Sequence, residues 1–350
     1  PQLVGSAALR GEMFLRTFDW VMIAWVIAMT VRSVAVALDP VGRGRWWRAL
    51  AGGLALSAPI WFSSAIAPND TWWAVPGADN AADPRYPNPA SEPVFAAQQR
   101  LLDDALSNLA DERPGATDLY FVAFAGDGRE DVFRKDVEAA QKVMDERWGT
   151  DGRSIALINN PRTLLEAPEA TVTNLRETLN EIGGTIDAEQ DIVMVYLASH
   201  GSRDHVLEVA LPPLELAPLT APVLRGMLDA AGIKWRIVVI SACYSGGFID
   251  ALKDDYTLVL TASDTDRASF GCGNESDSTY FGEALFQHGL ARAESILEAF
   301  DAAKARVAER EKAAGLNPPS NPQIYVGPAM ADKLKELDRA NSPLRSGRTV

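Results

Sequence analysis

Five apolar runs alternate with helical patterns from residue 119 onward, and that alternation constrains the fold more than any other feature. The runs are LYFVAFA at 119–125, SIALIN at 154–159, DIVMVYLA at 191–198, WRIVVISA at 235–242 and YTLVLTA at 256–262, and QIYV at 323–326 adds a last short strand. Between them the spacing predicts helices near 131–147, 170–182, 221–231, 279–288 and 293–314, and a hairpin pairing HVLEVA with LEL at 205–216. Near-continuous Val/Ile/Leu strands separated by helices predict a mostly parallel sheet covered on both faces, an α/β fold.

The first part of the chain has another texture. Residues 49–69 (ALAGGLALSAPIWFSSAIAPN) carry no charge over 21 positions, and residues 21–38 hold a single Arg32, so two transmembrane helices are expected here. Because the chain begins at Pro1 without an initiator Met, this count of spans is read as a minimum. The loop between the two runs carries Arg43, Arg45 and Arg48, whereas Asp70, Asp79 and Asp83 follow the second run before the next basic residue, Arg85. Positive-inside bias then puts the loop in the cytoplasm and everything after Asp70 on the periplasmic side of an inner membrane. Residues 70–113 read as a Pro-rich linker with a short helix at 96–109, residues 114–330 as the folded domain, and residues 331–350 as a C-terminal tail.

Charge excludes one class of partner. Residues 1–48 hold six of the 33 Lys+Arg and three of the 47 acids, which leaves 27 against 44, a net charge of −17, on the remainder. Nucleic-acid binding needs a basic face, so none is expected. Two cysteines cannot build a disulfide framework, and with three histidines at unsuitable spacings they predict no structural metal site. No cofactor is expected either, since GCGNES is too short and badly spaced for a dinucleotide fingerprint.

In parallel sheets the functional groups gather at the carboxyl ends of the strands. Two ends are unusual here: DIVMVYLA runs into Ser199-His200-Gly201-Ser202, and WRIVVISA into Cys243-Tyr244-Ser245-Gly246-Gly247. A His and a Cys on one sheet edge supply the base and nucleophile that thiol catalysis needs. The amides of Gly201 and Cys243 could receive a developing oxyanion, and Gly246-Gly247 would let the chain turn sharply into the next helix. His205, just inside the hairpin, is expected to point away from this edge, and His288 to complement a helix C-terminus. Cys272, in a Gly-bounded loop, could pair with Cys243 in an oxidising compartment. The plain alternative for each residue is a buried thiol acting as a small hydrophobe and a locally bonded imidazole.

MVYLASHGS followed by VVISACYSGG resembles the legumain-type cysteine peptidases, peptidase family C13 of the caspase-like clan, over roughly residues 117–327. The chain looks like a bacterial, membrane-anchored member. The resemblance implies a caspase-like three-layer sandwich with a mostly parallel six-stranded sheet. It implies Cys243 as nucleophile, His200 as catalytic base and acid, and Gly201 with Cys243 as oxyanion hole. By the same resemblance Arg134, Ser241, Ser269 and Glu283 would line the substrate pocket, where an Arg paired with a carboxylate suits a polar P1 side chain such as Asn. Two positions depart from legumain, which has Glu where this chain has Ser241 and Asp where it has Ser199; the first bears on Asn specificity and leaves the dyad intact. The function implied is a cysteine endopeptidase acting on peptide or protein substrates through an acyl-enzyme. The alternatives are a transamidase or transpeptidase using the same dyad, and a non-catalytic scaffold binding membrane partners. The sequence gives no indication of oligomeric state.

Overall fold

The computed structural model describes residues 85–273 and 276–345, together with Arg32. Contacts divide the chain into two compact units between Asp79 and Asn80, and the sheet and its helices belong to the second. The two expected membrane spans lie outside the described residues, among which no helix is long and apolar enough to cross a membrane.

The elements run α1 (Glu92–Ser107), β1 (Leu119–Ala125), α2 (Asp131–Trp148), β2 (Ser154–Ile158), α3 (Val172–Thr185), β3 (Ile192–Ala198), β4 (Val206–Leu207), β5 (Leu219–Thr220), α4 (Ala221–Ala230) and β6 (Trp235–Ser241). After a 3₁₀ turn at Ser245–Phe248 come α5 (Ile249–Leu252), β7 (Thr257–Thr261), α6 (Tyr280–Gly282), α7 (Ile296–Ala313), β8 (Gln323–Val326) and α8 (Pro328–Arg345). Local chemistry sets several ends. Asp131 opens α2 and Arg147 closes it, each favourable to the helix dipole, and Gly149 in the left-handed region (φ 73°) ends it. Thr171 and Ser295 cap α3 and α7 by accepting the amides of Asn174 (3.0 Å) and Glu298 (3.1 Å).

Six strands form one sheet in the order β2-β1-β3-β6-β7-β8, parallel throughout except for β8, which pairs antiparallel with β7. Alternate residues of β1 enter different cores. Phe121, Ala123 and Ala125 pack with α2, α6, α7 and α8, while Tyr120, Val122 and Phe124 pack with α1, α3 and α4. The sheet is thus the middle of three layers, and the uninterrupted burial of β1 and β3 is why their sequences show no polar alternation. Each large apolar side chain so enclosed contributes about 1.5–3 kcal/mol.

Four local expectations are corrected. α1 begins at Glu92, earlier than expected, with a proline in its first turn where a missing N–H costs nothing. β4 pairs with Leu219–Thr220 rather than with the LEL segment, because Pro212 and Pro213 have no N–H with which to extend a ladder toward it. The helix expected at 279–288 starts as the single turn α6 and continues as a π-helix over Glu283–Leu290, with Trp148 Nε1 donating to the Leu290 carbonyl at 3.0 Å. Residues 328–345, which include the start of the expected tail, are the helix α8, and it buries Met330, Leu334 and Leu337 in the core.

Candidate active site

β3 and β6 are adjacent and parallel, with Ala198 opposite Ser241. His200 and Cys243 each lie two residues beyond that matched pair, so the register alone puts them at the same level on one sheet edge. The Ser199 amide continues the ladder to Ser241 O at 3.3 Å, and the buried Ser199 hydroxyl donates to Glu208 O at 2.6 Å. Gly126, at the end of β1, passes so close that a Cβ would stand 2.7 Å from Glu208 O and 2.9 Å from Ser199 Cβ.

Gly201 is required by space. A Cβ there would overlap the Cys243 carbonyl oxygen, so the His-Gly segment and the nucleophile's own backbone are in contact. Gly201 opposes Leu207 in an antiparallel bridge whose bonds come from its neighbours: Glu208 N to His200 O at 2.9 Å and Ser202 N to Val206 O at 3.0 Å. In such a pair the residue's own N–H faces away from the partner strand, here away from β4. The His200 ring meets Phe133 of α2 edge to face, with centroids 5.0 Å apart and planes at 86°. That packing limits how the imidazole can tilt.

The turn after the nucleophile differs from expectation. The left-handed residue is Tyr244 (φ 58°), and Gly246 and Gly247 do not have positive φ. The glycines instead permit close approach: a Cβ on Gly246 would be 2.6 Å from Thr265 N, and one on Gly247 would enter the His205 ring. His205 therefore does not point away from this edge. Its Nδ1 lies 3.1 Å from Tyr244 O, against the loop that follows Cys243.

The loop after β7 surrounds the sulfur. Ser269 N–H donates to Cys243 Sγ at 3.2 Å and Ser269 Oγ lies 3.6 Å from it. The Cys272 thiol acts on the same atom electrostatically. Led by Cys272, and aided by Ser269 and more weakly by the His200 charge, these groups bring the Cys243 thiol down to about 6 against the opposing effect of burial. Cys272 moves the other way, raised by Cys243, whose charge lies nearby, and by burial. Both cysteines are free thiols.

The expected pocket residues are not brought together as an Arg–carboxylate pair. Arg134 is tied to its own helix, Nε to Asp131 Oδ1 at 2.9 Å and Nη1 to Glu138 Oε2 at 2.7 Å. Glu283 is held by Arg310, by His288 Nε2 at 3.1 Å and by Arg306 at 3.6 Å; burial resists, but the Arg310 and His288 bonds keep its carboxyl below the ordinary range. His288, in the last turn of the π segment, is thus engaged by a side chain. Ser269 lies against the sulfur, and Ser241 Oγ is buried 2.8 Å from Thr279 Oγ1.

That last contact opens onto a network the sequence did not suggest. Thr279 Oγ1 donates to Asp136 Oδ2 at 2.6 Å, and Tyr196 OH donates to the same oxygen at 2.7 Å. Burial pushes Asp136 up to about 6 although these hydroxyl bonds favour its anion. A carboxylate on the apolar stripe of α2, in line with Val132, Phe133, Val137 and Ala140, was the available signal. Among the described residues no group of three or more His, Cys, Asp or Glu is placed to hold a metal ion.

Fold and site together define an α/β protein whose parallel sheet ends in a paired His-Gly and Cys edge. Residues 178–330, from α3 to the start of α8 and including both strand-end motifs, match the model of the Peptidase C13 family. The match supports a cysteine peptidase in general. Among solved structures the chain is similar to caspase-1 from Spodoptera frugiperda, at 12% identity and a TM-score of 0.44, over 62% of this chain and 92% of that one. No curated protein matches.

Proposed function

We propose that the chain is a cysteine endopeptidase in which Cys243 attacks the carbonyl after P1 and His200 protonates the leaving amine. The same imidazole then activates the water that releases the acyl group. Negative charge collects on an oxygen received by the Gly201 and Cys243 amides. The observation that carries this reading is the matched register of β3 and β6, which sets His200 and Cys243 two residues beyond Ala198 and Ser241. A sulfur brought down to about 6 is thiolate at neutral pH, the form that attacks.

A polar P1 residue is the proposed preference, read by Ser269 beside the sulfur together with Arg134 and Glu283, whereas Ser241 is buried on Thr279 and out of a substrate's reach. Asp136, two residues after Arg134, feels the Glu283 charge, which agrees with α2 and the π segment bordering one region. The tight partners of Arg134 and Glu283 mean that a substrate side chain would compete with Asp131 and Glu138, or with Arg310 and His288. The uncharged run at 49–69 and the Arg-bearing loop before it support membrane anchoring with the peptidase domain on the periplasmic side.

An irreversible thiol-reactive peptide probe with Asn at P1 tests the assignment. It is expected to label the parent protein and the Cys272→Ala variant and to leave Cys243→Ala unlabelled. Cleavage of reporter peptides by Cys243→Ala at the parent rate would overturn it.

A further inference from the structure

The loop carrying Cys272 is fastened on both sides of the Cys243 sulfur. Before the sulfur, Ser263 Oγ donates to Ala242 O at 3.1 Å, Ser245 N donates to Ser263 Oγ at 3.1 Å, and Tyr244 N donates to Arg267 O at 2.7 Å. At the sulfur, Ser269 N donates to Sγ at 3.2 Å. Beyond it, Tyr280 N donates to Phe270 O at 3.1 Å, and Gly271 (φ +83°) lies so close to Tyr280 that a Cβ would stand 2.8 Å from its nitrogen. Cys272 follows at once. The backbone leading to Cys272 is therefore held against the loop of Cys243, and both thiols are half-buried rather than sealed.

We propose that Cys243 and Cys272 form a dithiol modification site, in which a low-molecular-weight disulfide takes Cys243 and Cys272 resolves the adduct into an intramolecular disulfide. In the first step the Cys243 thiolate attacks one sulfur of R–S–S–R. A Cys243–S–S–R bond forms, the R–S–S–R bond breaks, and one R–S⁻ leaves. In the second step Cys272 gives up its proton and attacks the Cys243 sulfur, so that the Cys243–Cys272 bond forms and the second R–S⁻ departs. Two protein thiols are oxidised and one external disulfide is reduced to two thiols.

The order of the steps follows from the opposite shifts of the two thiols, Cys243 down and Cys272 up. While Cys243 is a thiolate, its electrostatic pull holds the proton on Cys272, so Cys243 is the attacking group. Once Cys243 is capped its charge is gone, and only burial and the Glu130 charge still keep Cys272 protonated. Capping the first thiol thereby releases the second. Cross-linking requires neither peptide cleavage nor His200, so it stands or falls independently of the peptidase reading.

The test incubates the reduced full chain with oxidised glutathione at neutral pH, quenches with acid and reads intact mass and non-reduced peptide maps. The parent protein is expected to lose two hydrogens, with the peptides of Cys243 and Cys272 joined and no glutathione retained. Cys272→Ser and Cys272→Ala are expected to stop at a glutathione adduct on Cys243, and Cys243→Ser to form no intramolecular disulfide. The near-UV circular dichroism of the reduced variants, matching that of the parent, establishes that they fold. In the parent, a stable glutathione adduct on Cys243, an adduct on Cys272, or two unmodified thiols would overturn the proposal.

Discussion

Gly201 and Cys243 are in backbone contact: any Cβ at residue 201 would overlap the carbonyl oxygen of residue 243. The contact joins the loop after β3 to the loop after β6, and both proposed oxyanion donors belong to it. Gly201→Ala is expected to push the segments apart and lower peptide turnover by about 10²-fold, the loss typical of one oxyanion donor. Steady-state kinetics beside thermal unfolding check this. Turnover at the parent level would show that the contact can relax without cost.

The thiol prediction concerns pH. With Cys243 at about 6, the rate of alkylation by iodoacetamide should rise with pH to a half-maximum near pH 6 in the parent protein. Cys272→Ala and Ser269→Ala each remove a group that lowers the Cys243 thiol, so the half-maximum should move upward in both, further for Cys272→Ala. The same depression makes the thiolate a contributor to folding stability. That contribution is complete above the ordinary thiol value of about 8.5 and is lost as pH falls through about 6. A half-maximum that stays put in Cys272→Ala would remove the thiol pair as the cause.

Much of this site was legible because periodicity and strand-end chemistry are local signals. DIVMVYLA and WRIVVISA announce their strands by composition, and two buried parallel neighbours need only a matched start to bring His200 level with Cys243. The contacts of Arg134 and Glu283 were not legible. Their partners Asp131, Glu138, Arg310 and His288 are chosen by which helix faces meet, and a charged residue carries no mark of its partner. His205 was misjudged because strand alternation does not describe a residue with φ 57° in a tight turn.

Asp136 gives a stability prediction of the opposite sign. Its folded value, about 6, lies above the ordinary carboxylate value of 3.8 because burial disfavours its charge. The group therefore contributes stability fully below the unfolded value and loses it as pH rises through about 6. Asp136→Asn should flatten the stability profile between those two values, read by chemical denaturation across the range. Asp136→Ala should destabilise by about 1–3 kcal/mol for each hydroxyl, Tyr196 and Thr279, left without its acceptor. An unchanged profile in Asp136→Asn would mean that the carboxylate does not titrate in this range.

Topology can be tested apart from chemistry. A reporter active only outside the cytoplasm should work when fused after Asp70 and stay silent when fused after Arg45, as the Arg43, Arg45 and Arg48 loop requires. The reverse pattern would put the Cys243–Cys272 pair in a reducing compartment, where oxidation by small disulfides is transient rather than lasting.

The dyad makes the sharpest kinetic demand. If His200 and Cys243 act as one unit, removing either leaves only what binding and the oxyanion donors supply, so Cys243→Ala and His200→Ala should fall to similar residual turnover and the double variant little further. Groups acting separately would give losses that multiply. His205 supplies the internal control, because its ring packs on Gly247 and bonds Tyr244 O beside the nucleophile without occupying the register position of His200. His205→Ala should disturb the loop and reduce turnover less than His200→Ala, and its loss should add to that of Cys272→Ala rather than vanish within it. A His205 variant as inactive as Cys243→Ala, with His200→Ala largely active, would transfer the role of base to the histidine expected to point away.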